Sequence, residues 1–577
     1  MKILLTILNA KYIHSSLALR SLAAFCKQSP HSLVIKEFTI NDHEHTILSS
    51  LFKEAPDVVC FSCYIWNRSI TLSLVDSLKK ILPGVKTVLG GPEVTGNEAE
   101  IMANHPVDII VTGEGEEPFS LLLDYFSGKL DDLATIPRIT YRDMDGRIRQ
   151  SSSQTGFIGL DCLPFAYEND IDSFKHKIIY YETSRGCPFS CAYCLSGTES
   201  RLRYLSLDRC FKDLQYFLNN KVRQIKFIDR TFNCNKTHAL EIWRYLIAND
   251  NGHTNFHFEI SADLLDDEML ALLASARTGL FQFEIGVQST HSPTLHAIRR
   301  KTNLQTCFQN IKKIIEAGNI HTHVDLIAGL PLENLTAFKE SFNAVYDLQA
   351  DYLQLGFLKL LHGSALRNTA PNYGIVYKNA PPYEVLFTAD LPYQDLIRLK
   401  AIEEILSIYY NSGRFRTTLS FVVGLYLSPF AFYDKLATYF EDSGYAHMGH
   451  TKWKLYDIMY AFLSHNKTAD MALLRDLLVF DMYKNEHVPN LPHWADLFPT
   501  DAEVPTIKQA LLRVPGNERN NLKRRLHVQK FAYDIVAFAL GETVQPQLCD
   551  SFTLFDYTQA KGGPRFEKIH LRHKEQI

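Results

Sequence analysis

Three cysteines lie within eight residues of the sequence, in the segment 182-ETSRGCPFSCAYCLSG-197. They are Cys187, Cys191 and Cys194, in a chain of 577 residues that has eleven cysteines. Thiolates spaced four and three residues apart can converge on one metal centre if the backbone forms a loop. Three cysteines would leave one iron of a four-iron cluster without a protein ligand. Such an open iron can bind a small molecule beside a one-electron donor.

Other uses of these cysteines must be weighed against a cluster. Structural zinc usually needs a fourth Cys or His with its own paired spacing, and the nearest cysteines, Cys210 and Cys234, form no second pair. An odd number of unevenly spaced cysteines argues against the disulfide framework of a secreted protein. Cysteines with a purely structural role remain the alternative to an iron–sulfur site.

The composition indicates a globular, cytoplasmic protein of several domains. The chain is 46% hydrophobic and 21% charged, and its net charge of −4 gives no support for a general polyanion binder. No apolar run reaches the roughly 18–20 residues of a membrane helix. The opening segment MKILLTILNA has no small-residue cleavage site and predicts a buried first strand, not a signal peptide.

Residues 1–130 alternate apolar runs with amphipathic segments, a pattern typical of a parallel sheet covered on both faces. Several predicted strands end in small residues, with Ser62, Gly90 and Gly91 among them. Ligands of open α/β sheets lie outside the carboxyl ends of the strands. The alternative is that the glycines only make tight turns.

The rest of the chain divides into three segments. Residues 131–175 are irregular and predict a linker. Residues 176–372 resume the strand–helix alternation, and six strands with five crossovers predict a partial (β/α)6 barrel. The three cysteines follow the first of these strands, at the end where barrel active sites lie. Residues 373–577 contain long amphipathic segments and predict a mostly helical C-terminal domain, with a late strand near SFTLFDYT.

Several motifs together resemble one family. CxxxCxxC after an apolar strand, with an aromatic residue before the last cysteine, resembles the radical S-adenosylmethionine (radical SAM) superfamily. FIDRTFNCN (227–235), EIGVQS (284–289) and VDLIAGLPLE (324–333) are similar to motifs of its cobalamin-dependent branch. LGGPEVT and VTGEGEEPF look like the Rossmann-like cobalamin-binding domain of that branch, and the helical C-terminus resembles a domain of uncharacterised function in one subgroup.

The resemblance implies that Cys187, Cys191 and Cys194 hold a [4Fe–4S] cluster whose open iron binds the amino and carboxylate groups of S-adenosylmethionine. One electron from the cluster would then give methionine and a 5′-deoxyadenosyl radical, which abstracts a hydrogen atom from the substrate. The predicted S-adenosylmethionine contacts are Tyr193, Asp229, Ser261, Asp263, Glu284 and Gly329. Some of these residues have structural alternatives: Tyr193 could be packed under the loop, Ser261 and Asp263 could form a helix N-cap, and Gly329 could only make a turn.

Cobalamin is implied by the N-terminal domain. Domains that coordinate cobalt through histidine carry Asp-x-His-x-x-Gly, whereas His14 in 9-NAKYIHSSLA-18 lacks both the Asp and the Gly. We therefore expect cobalamin to bind without ligation by His14, with its lower axial face near 63-CYIWN-67. His14 would lie at a domain interface or touch a corrin side chain. The predicted cobalamin contacts are Ser62, Gly90, Gly91, Thr95 and His14.

The leading functional hypothesis is methyl transfer to an unactivated carbon of a small-molecule or peptide substrate. A reducing partner such as flavodoxin or ferredoxin would supply electrons. Non-methylating ring formation or rearrangement would use the same sites. His323, Lys359 and His362, near the ends of the last two predicted strands, are candidates for substrate contact, although ordinary polar surface positions explain them equally well.

Two further hypotheses come from other classes of protein. An RNA-modifying methylthiotransferase would need three more cluster cysteines in the N-terminal domain, but Cys26, Cys60 and Cys63 are badly spaced and fit a protein core. The basic stretch 518–530 could contact phosphate, yet a solvated helix face explains it better, and nucleic-acid binding is not expected. A non-catalytic cobalamin or redox sensor would never cleave S-adenosylmethionine.

Overall fold

The computed structural model describes residues 1–151, 157–168, 171–198, 201–466, 469–488, 490–495, 526–557 and 565–569. Residues 518–525 of the basic stretch lie outside this part of the chain. Two compact units are present, residues 1–350 with 354–396 and residues 351–353 with 397–577. Across the described ranges, no helix has both the length and the apolar character needed to cross a membrane.

The N-terminal sheet is a doubly covered parallel sheet, as predicted. Its strand order is β2-β1-β3-β4-β5-β6-β7, and the first five strands pair in parallel. Alternate strand residues enter separate apolar cores on the two faces. Cys63, just after β3, lies in one core, and Cys60 of β3 lies in the other together with Cys26, which follows α1. The strands are β1 Lys2–Asn9, β2 Ser32–Thr39, β3 Val58–Ser62, β4 Lys86–Gly90, β5 Ile109–Val111, β6 Ile139–Arg142 and β7 Ile148–Gln150, and the helices are α1 Leu17–Phe25, α2 Glu44–Lys53, α3 Arg68–Ile81, α4 Glu98–Asn104 and α5 Glu116–Phe126.

The expectation that residues 131–175 are irregular is wrong for β6 and β7. These two strands add to the edge of the sheet in antiparallel fashion, β6 beside β5 and β7 beside β6. Short strands with exposed polar residues, such as those of β7, carry too weak an apolar pattern to be recognised from sequence.

The second sheet is the predicted partial barrel. In the described residues it has six strands in the order β15-β14-β13-β12-β11-β8, and the neighbouring strands from β8 to β14 pair in parallel. A separate two-stranded ladder, β9 with β10, encloses the loop that carries the three cysteines. The strands are β8 Ile179–Tyr181, β9 Ser184–Arg185, β10 Arg203–Tyr204, β11 Gln224–Phe227, β12 Asn255–Ile260, β13 Phe281–Gln288, β14 His321–Ala328 and β15 Tyr352–Phe357, and the helices are α6 Leu207–Asn219, α7 Lys236–Ala248, α8 Asp267–Ala274, α9 Ser292–Ala297, α10 Leu304–Ala317 and α11 Leu335–Tyr346.

Alternation along the barrel strands separates an apolar outer face from a polar inner face. Phe258 and Phe283 pack outward among aromatic side chains of the covering helices, including Trp243. Their neighbours Glu259 and Glu284 are half-buried on the opposite face.

Residues 373–396, which the sequence assigned to the C-terminal domain, group with the first unit. They include the strand Val385–Phe387, which pairs with Val376–Tyr377 and packs against Gly329. The strands of this segment are β16 Val376–Tyr377 and β17 Val385–Phe387, and α12 Ala365–Thr369 precedes it.

The second unit is mostly helical but contains more strand than predicted. Its late strand pairs with two others to form an antiparallel sheet in the order β18-β19-β20. The helices are α13 Tyr393–Tyr409, α14 Arg416–Val422, α15 Pro429–Asp442, α16 Lys452–Asn466, α17 Met471–Asn485 and α18 Ile535–Ala539, and the strands are β18 Leu526–Tyr533, β19 Leu548–Asp556 and β20 Arg565–Ile569.

Candidate active site

The three cysteines share one loop after β8 and β9. Cys187 and Cys191 are buried and Cys194 is half-buried, and all three are free thiols. The loop is fixed through Ala192, whose N–H donates to the Ile298 carbonyl (2.8 Å) and whose carbonyl accepts from the Leu366 N–H (2.7 Å). The loop therefore presents its thiols from a defined backbone.

The surroundings of the three thiols are compatible with an iron–sulfur cluster. Within the residues that the structure describes, no group of three or more His, Cys, Asp or Glu side chains could hold one metal ion. A cubane cluster instead binds each thiolate to a different iron, so its cysteines are spread apart. Polar donors also face the sulfurs, since the Ser196 N–H donates to Cys194 (3.4 Å) and the Thr231 hydroxyl lies 3.9 Å from Cys187. Donors of this kind tune cluster potentials.

Arg300 is a site residue that the sequence analysis missed. Its Nη1 donates to the Cys191 Sγ (3.8 Å) and its Nη2 to the Gly286 carbonyl, while its Nε is buried with no partner in the described structure. Burial raises the pKa of the Cys191 thiol, and the charge of Arg300 opposes that rise. Tyr193 also lies beside this guanidinium, and burial raises the pKa of its phenol. The Arg-Arg-Lys run 299–301 has no local signal that marks its middle residue as buried.

Gln288 lies against the same glycine as Arg300. A Cβ on Gly286 would come within 2.1 Å of the Gln288 Nε2 and 3.6 Å of the Arg300 Nη2. The Gln288 Oε1 is a second buried polar atom with no partner among the described residues. One donor and one acceptor are therefore available together, next to the cysteine loop.

Asp229 contacts the segment that precedes the cysteine loop. It is 1% exposed, and it accepts hydrogen bonds from the Thr183 N–H (3.0 Å), the Thr183 hydroxyl (2.7 Å) and the Ser184 hydroxyl (2.6 Å). Burial raises its pKa to about 6 despite these bonds. These bonds hold the segment before the loop, and the S-adenosylmethionine contact expected for Asp229 stays a prediction.

Glu284 faces the barrel interior, as expected, and protein groups already donate to one of its two oxygens. Its Oε2 accepts from the Lys226 Nζ (3.0 Å) and the His257 Nε2 (3.1 Å). Burial alone would raise its pKa, but these bonds and the nearby positive charge lower the pKa to about 2. A cofactor donor is therefore not required to stabilise this carboxylate.

Within the part of the chain that the structure describes, no donor lies within hydrogen-bond distance of the interior carboxylate Glu259. It is directly opposite Glu284 in the β12–β13 register, and its nearest ion-pair partner is the Lys226 Nζ at 3.8 Å. Burial and the negative charge of Glu284 raise the pKa of Glu259 to about 7. The alternation His257–Glu259 in HFEIS was the sequence signal that could have identified it.

Two of the remaining predicted S-adenosylmethionine contacts, Ser261 and Asp263, are hydrogen-bonded to each other. The Ser261 hydroxyl donates to Asp263 (2.6 Å), which also accepts from the Asn303 N–H (3.0 Å). Ser261 precedes a short 3₁₀ turn without capping it through its side chain. Gly329 has φ +87°, and a Cβ there would come within 2.6 Å of Val385, so close packing already requires glycine.

In the N-terminal sheet, the two glycines of LGGP have different surroundings. Gly91 has φ +110°, and a Cβ there would lie 2.5 Å from the Cys63 carbonyl oxygen, whereas a Cβ on Gly90 would meet nothing closer than 3.8 Å. The Thr95 hydroxyl donates to the Gly91 carbonyl (3.3 Å). Ser62 is buried at the end of β3.

His14 lies between the N-terminal sheet and the barrel, one of the two locations expected for it. Its Nδ1 is 2.6 Å from the Tyr180 hydroxyl of β8, and burial lowers its pKa. In the CYIWN loop, Tyr64 and Trp66 stack with ring centroids 4.5 Å apart, and Trp66 remains 41% exposed. This loop therefore presents a flat aromatic surface at the strand ends.

The three substrate candidates are in different environments. His323 forms an ion pair with Asp325 (3.0 Å) inside the barrel, and Lys359 is exposed. His362 lies 3.3 Å from the Arg68 Nη1, and burial together with the charges of Arg367 and Arg68 lowers its pKa to about 4. His362 thus joins the barrel to the N-terminal domain.

Comparison with protein families identifies three regions. Residues 3–123 match the B12 binding domain, and residues 181–345 match the Radical SAM superfamily. Residues 371–548 match the family described as Protein of unknown function (DUF4080).

Two curated relatives are methyltransferases. The chain is 28% identical over 308 residues to the 2-(S-pantetheinyl)-carbapenam-3-carboxylate methyltransferase of Streptantibioticus cattleyicolor, a match that covers 51% of this chain and 45% of that one. It is 26% identical over 309 residues to the cobalamin-dependent radical SAM methyltransferase TokK of Streptomyces tokunonensis, with the same coverage. The chain thus spans about half the length of the curated relatives it matches.

A solved structure shares the fold. The cobalamin-dependent S-adenosylmethionine radical enzyme OxsB, with aqua-cobalamin and S-adenosylmethionine bound, superposes with a TM-score of 0.59 at 15% identity. The superposition covers 91% of this chain and 83% of that one.

Proposed function

Because this chain combines a B12 binding domain with a radical SAM domain and a DUF4080 domain, we propose that it is a cobalamin-dependent radical SAM methyltransferase acting on an unactivated carbon. The observation that carries the proposal is the loop with Cys187, Cys191 and Cys194, which faces the buried guanidinium of Arg300 at the end of the first barrel strand. A cluster on this loop, with S-adenosylmethionine and cobalamin bound, would supply the radical and the methyl group.

Different residues of the barrel would contact different groups of S-adenosylmethionine. Arg300, with its unpartnered Nε, would bind the carboxylate, because a guanidinium pairs with carboxylates in a planar fork. Glu259 would accept a hydrogen bond from the amino group or the ribose, the role that the sequence suggested for Glu284. Tyr193, Asp229, Ser261, Asp263 and Gly329 remain proposed contacts of this cofactor, and Asp229 would also hold the segment before the loop.

Cobalamin would bind at the strand ends of the N-terminal sheet. The stacked pair Tyr64 and Trp66 offers an apolar surface for the lower axial face of the corrin, and the His14 imidazole is engaged by Tyr180. Ser62, Gly90, Gly91 and Thr95 stay proposed contacts of the buried tail. Exclusion of water by this surface would protect a reactive cobalt centre.

The remaining proposals concern organisation and partners. The domain boundaries 1–130, 176–372 and 373–577 stay proposals, and the matched family ranges are 3–123, 181–345 and 371–548. The substrate would be a small molecule or peptide, and a cytoplasmic flavodoxin or ferredoxin would act as the reductant. Nucleic acid is not expected as a partner.

Reconstitution tests the proposal. The full chain would be loaded anaerobically with iron, sulfide and hydroxocobalamin, reduced in the presence of S-adenosylmethionine, and assayed for 5′-deoxyadenosine and S-adenosylhomocysteine by mass spectrometry. The test variant replaces Cys187, Cys191 and Cys194 with Ala. A matched control replaces Cys210 and Cys307, which are buried free thiols of the same barrel outside the loop.

We expect both products from the wild type and the control, and neither from the triple variant. Only 5′-deoxyadenosine would favour cyclisation or rearrangement over methylation. Absence of both products from a chain that holds a full cluster would overturn the enzyme hypothesis and favour a sensor.

A further inference from the structure

The base of the cysteine loop contains two arginines in an unfavourable arrangement. Arg185 ends β9, two residues before Cys187, and Arg203 begins β10 on the far side of the loop. The two residues are directly opposite each other in the antiparallel ladder. Like charges directly opposite across strands are destabilising, so this pairing requires a compensating anion.

Glu114 of the B12 binding domain supplies that anion to both arginines. Its Oε2 is 3.0 Å from the Arg185 Nη1, and its Oε1 accepts from the Arg203 Nη2. The carboxylate is 15% exposed and the two guanidinium groups are 16% and 11% exposed. Coulombic attraction between groups this well shielded from water is stronger than at an open surface.

A second carboxylate of the same domain extends the contact. Glu116 accepts from the Arg185 Nη1 (3.2 Å) and Nη2 (2.6 Å), so the pair is bidentate, and Ser21 donates to it at 3.0 Å. Glu116 is the first residue of α5, where the helix dipole favours a negative charge. Glu182, just before β9, completes the partners of Arg185 at 2.7 Å.

We infer that Arg185 and Arg203 are positioning residues that fix both ends of the cluster loop to the B12 binding domain through Glu114 and Glu116. The GEGE segment after β5 would thereby set the position of the cluster relative to the cobalamin site. This inference rests on the proposed function. Removal of one partner leaves buried charges uncompensated, so the contact is lost as a unit and not one bond at a time.

The distance between the two cofactors tests the inference. Pulsed electron paramagnetic resonance would measure the spin–spin distance between the reduced cluster and cob(II)alamin in the reconstituted full chain. We expect one narrow distribution in the wild type and a broadened or shifted one in Arg185→Gln and in Glu114→Gln. Arg185→Lys, which keeps the charge but loses the fork, should broaden the distribution less.

The matched control is Arg209→Gln. Arg209 also forms a part-buried ion pair, in which its Nε donates to both carboxylate oxygens of Asp213 (2.9 and 3.0 Å), but that pair lies within one helix and does not reach the N-terminal domain. It should leave the distance distribution narrow. Distributions in Arg185→Gln and Glu114→Gln as narrow as those of the wild type and Arg209→Gln would overturn the inference.

A measurement on the apo chain separates this inference from the proposed function. Calorimetry should show the N-terminal domain and the barrel unfolding in one transition in the wild type and in Arg209→Gln, and in two transitions in Arg185→Gln. A single transition in Arg185→Gln would count against the contact. A wild type that binds neither cofactor would refute the proposed function, while the calorimetric comparison would still decide whether Arg185 joins the two domains.

Discussion

Substitution of Gly91 by Ala separates structural from cofactor roles in the LGGP segment. Both Gly90 and Gly91 were predicted to contact cobalamin, but their surroundings differ. Gly91 has φ +110° and would place a Cβ 2.5 Å from the Cys63 carbonyl oxygen and 3.1 Å from the Cys63 nitrogen. These neighbours are backbone atoms of a buried residue and cannot move aside as a flexible side chain could.

The expected cost has two parts. Holding a non-glycine residue in this region of φ costs about 1–3 kcal/mol. Forcing a methyl group against packed backbone costs about 1–3 kcal/mol more. The sum, about 4 kcal/mol, would lower the melting temperature of a domain of this size by about 15 °C.

Gly90→Ala is the matched control. Its Cβ would meet only the Val111 carbonyl oxygen at 3.8 Å, an ordinary contact. We expect a change in stability below about 1 kcal/mol, because an alanine in a strand also loses less backbone entropy on folding than glycine. If Gly90 lies against cobalamin, Gly90→Ala should weaken cobalamin binding without loss of stability.

Calorimetry of the apo chain measures stability, and absorbance titration with hydroxocobalamin measures binding. The two assays must be run on the same preparations, because an unfolded N-terminal domain also fails to bind. Equal melting temperatures for Gly91→Ala and Gly90→Ala would refute the packing argument.

Three further predictions concern the barrel. The depressed pKa of Glu284, about 2 against an ordinary 4.5, stabilises the fold above pH 4.5 and is lost as the pH falls toward 2. The difference in melting temperature between wild type and Glu284→Gln should therefore be largest at neutral pH and shrink in acid, and a constant difference would contradict the Lys226–Glu284 pair. Because Glu259 has a pKa near 7, S-adenosylmethionine should bind about tenfold more tightly at pH 8 than at pH 6, and Glu259→Gln should flatten this dependence in calorimetric titrations. Arg300→Lys should weaken S-adenosylmethionine binding by roughly 10–100-fold and alter the cluster spectrum, and unchanged values would exclude the guanidinium from the site.

The strand pattern was recognisable from sequence because buried parallel strands are continuous apolar runs. The runs VVCFS and TVLG fill two apolar cores, and the same periodicity gave the order of strands and helices in the barrel. The edge strand Ile148–Gln150 is exposed along its whole length, so its sequence carries no such pattern.

The proposed cluster ligands were also a local property of the sequence. Three soft ligands at spacings of four and three residues need only a loop to converge, and a loop after a strand was readable from Gly186 and Pro188. The pairing of charged side chains could not be predicted from the sequence in the same way. Whether Glu259 or Glu284 lacks a donor depends on the inter-strand register that places Lys226 and His257 beside Glu284.

Sequence alone therefore determined the local patterns, namely the cysteine spacing, the strand periodicity and the departure of His14 from a cobalt-ligand motif. Tertiary structure decided which charges meet. Arg185 lies 69 residues from Glu116 and Arg300 lies 109 residues from Cys191 along the chain. Such pairs form only when packing of the sheets brings distant segments together, because no local propensity links residues so far apart.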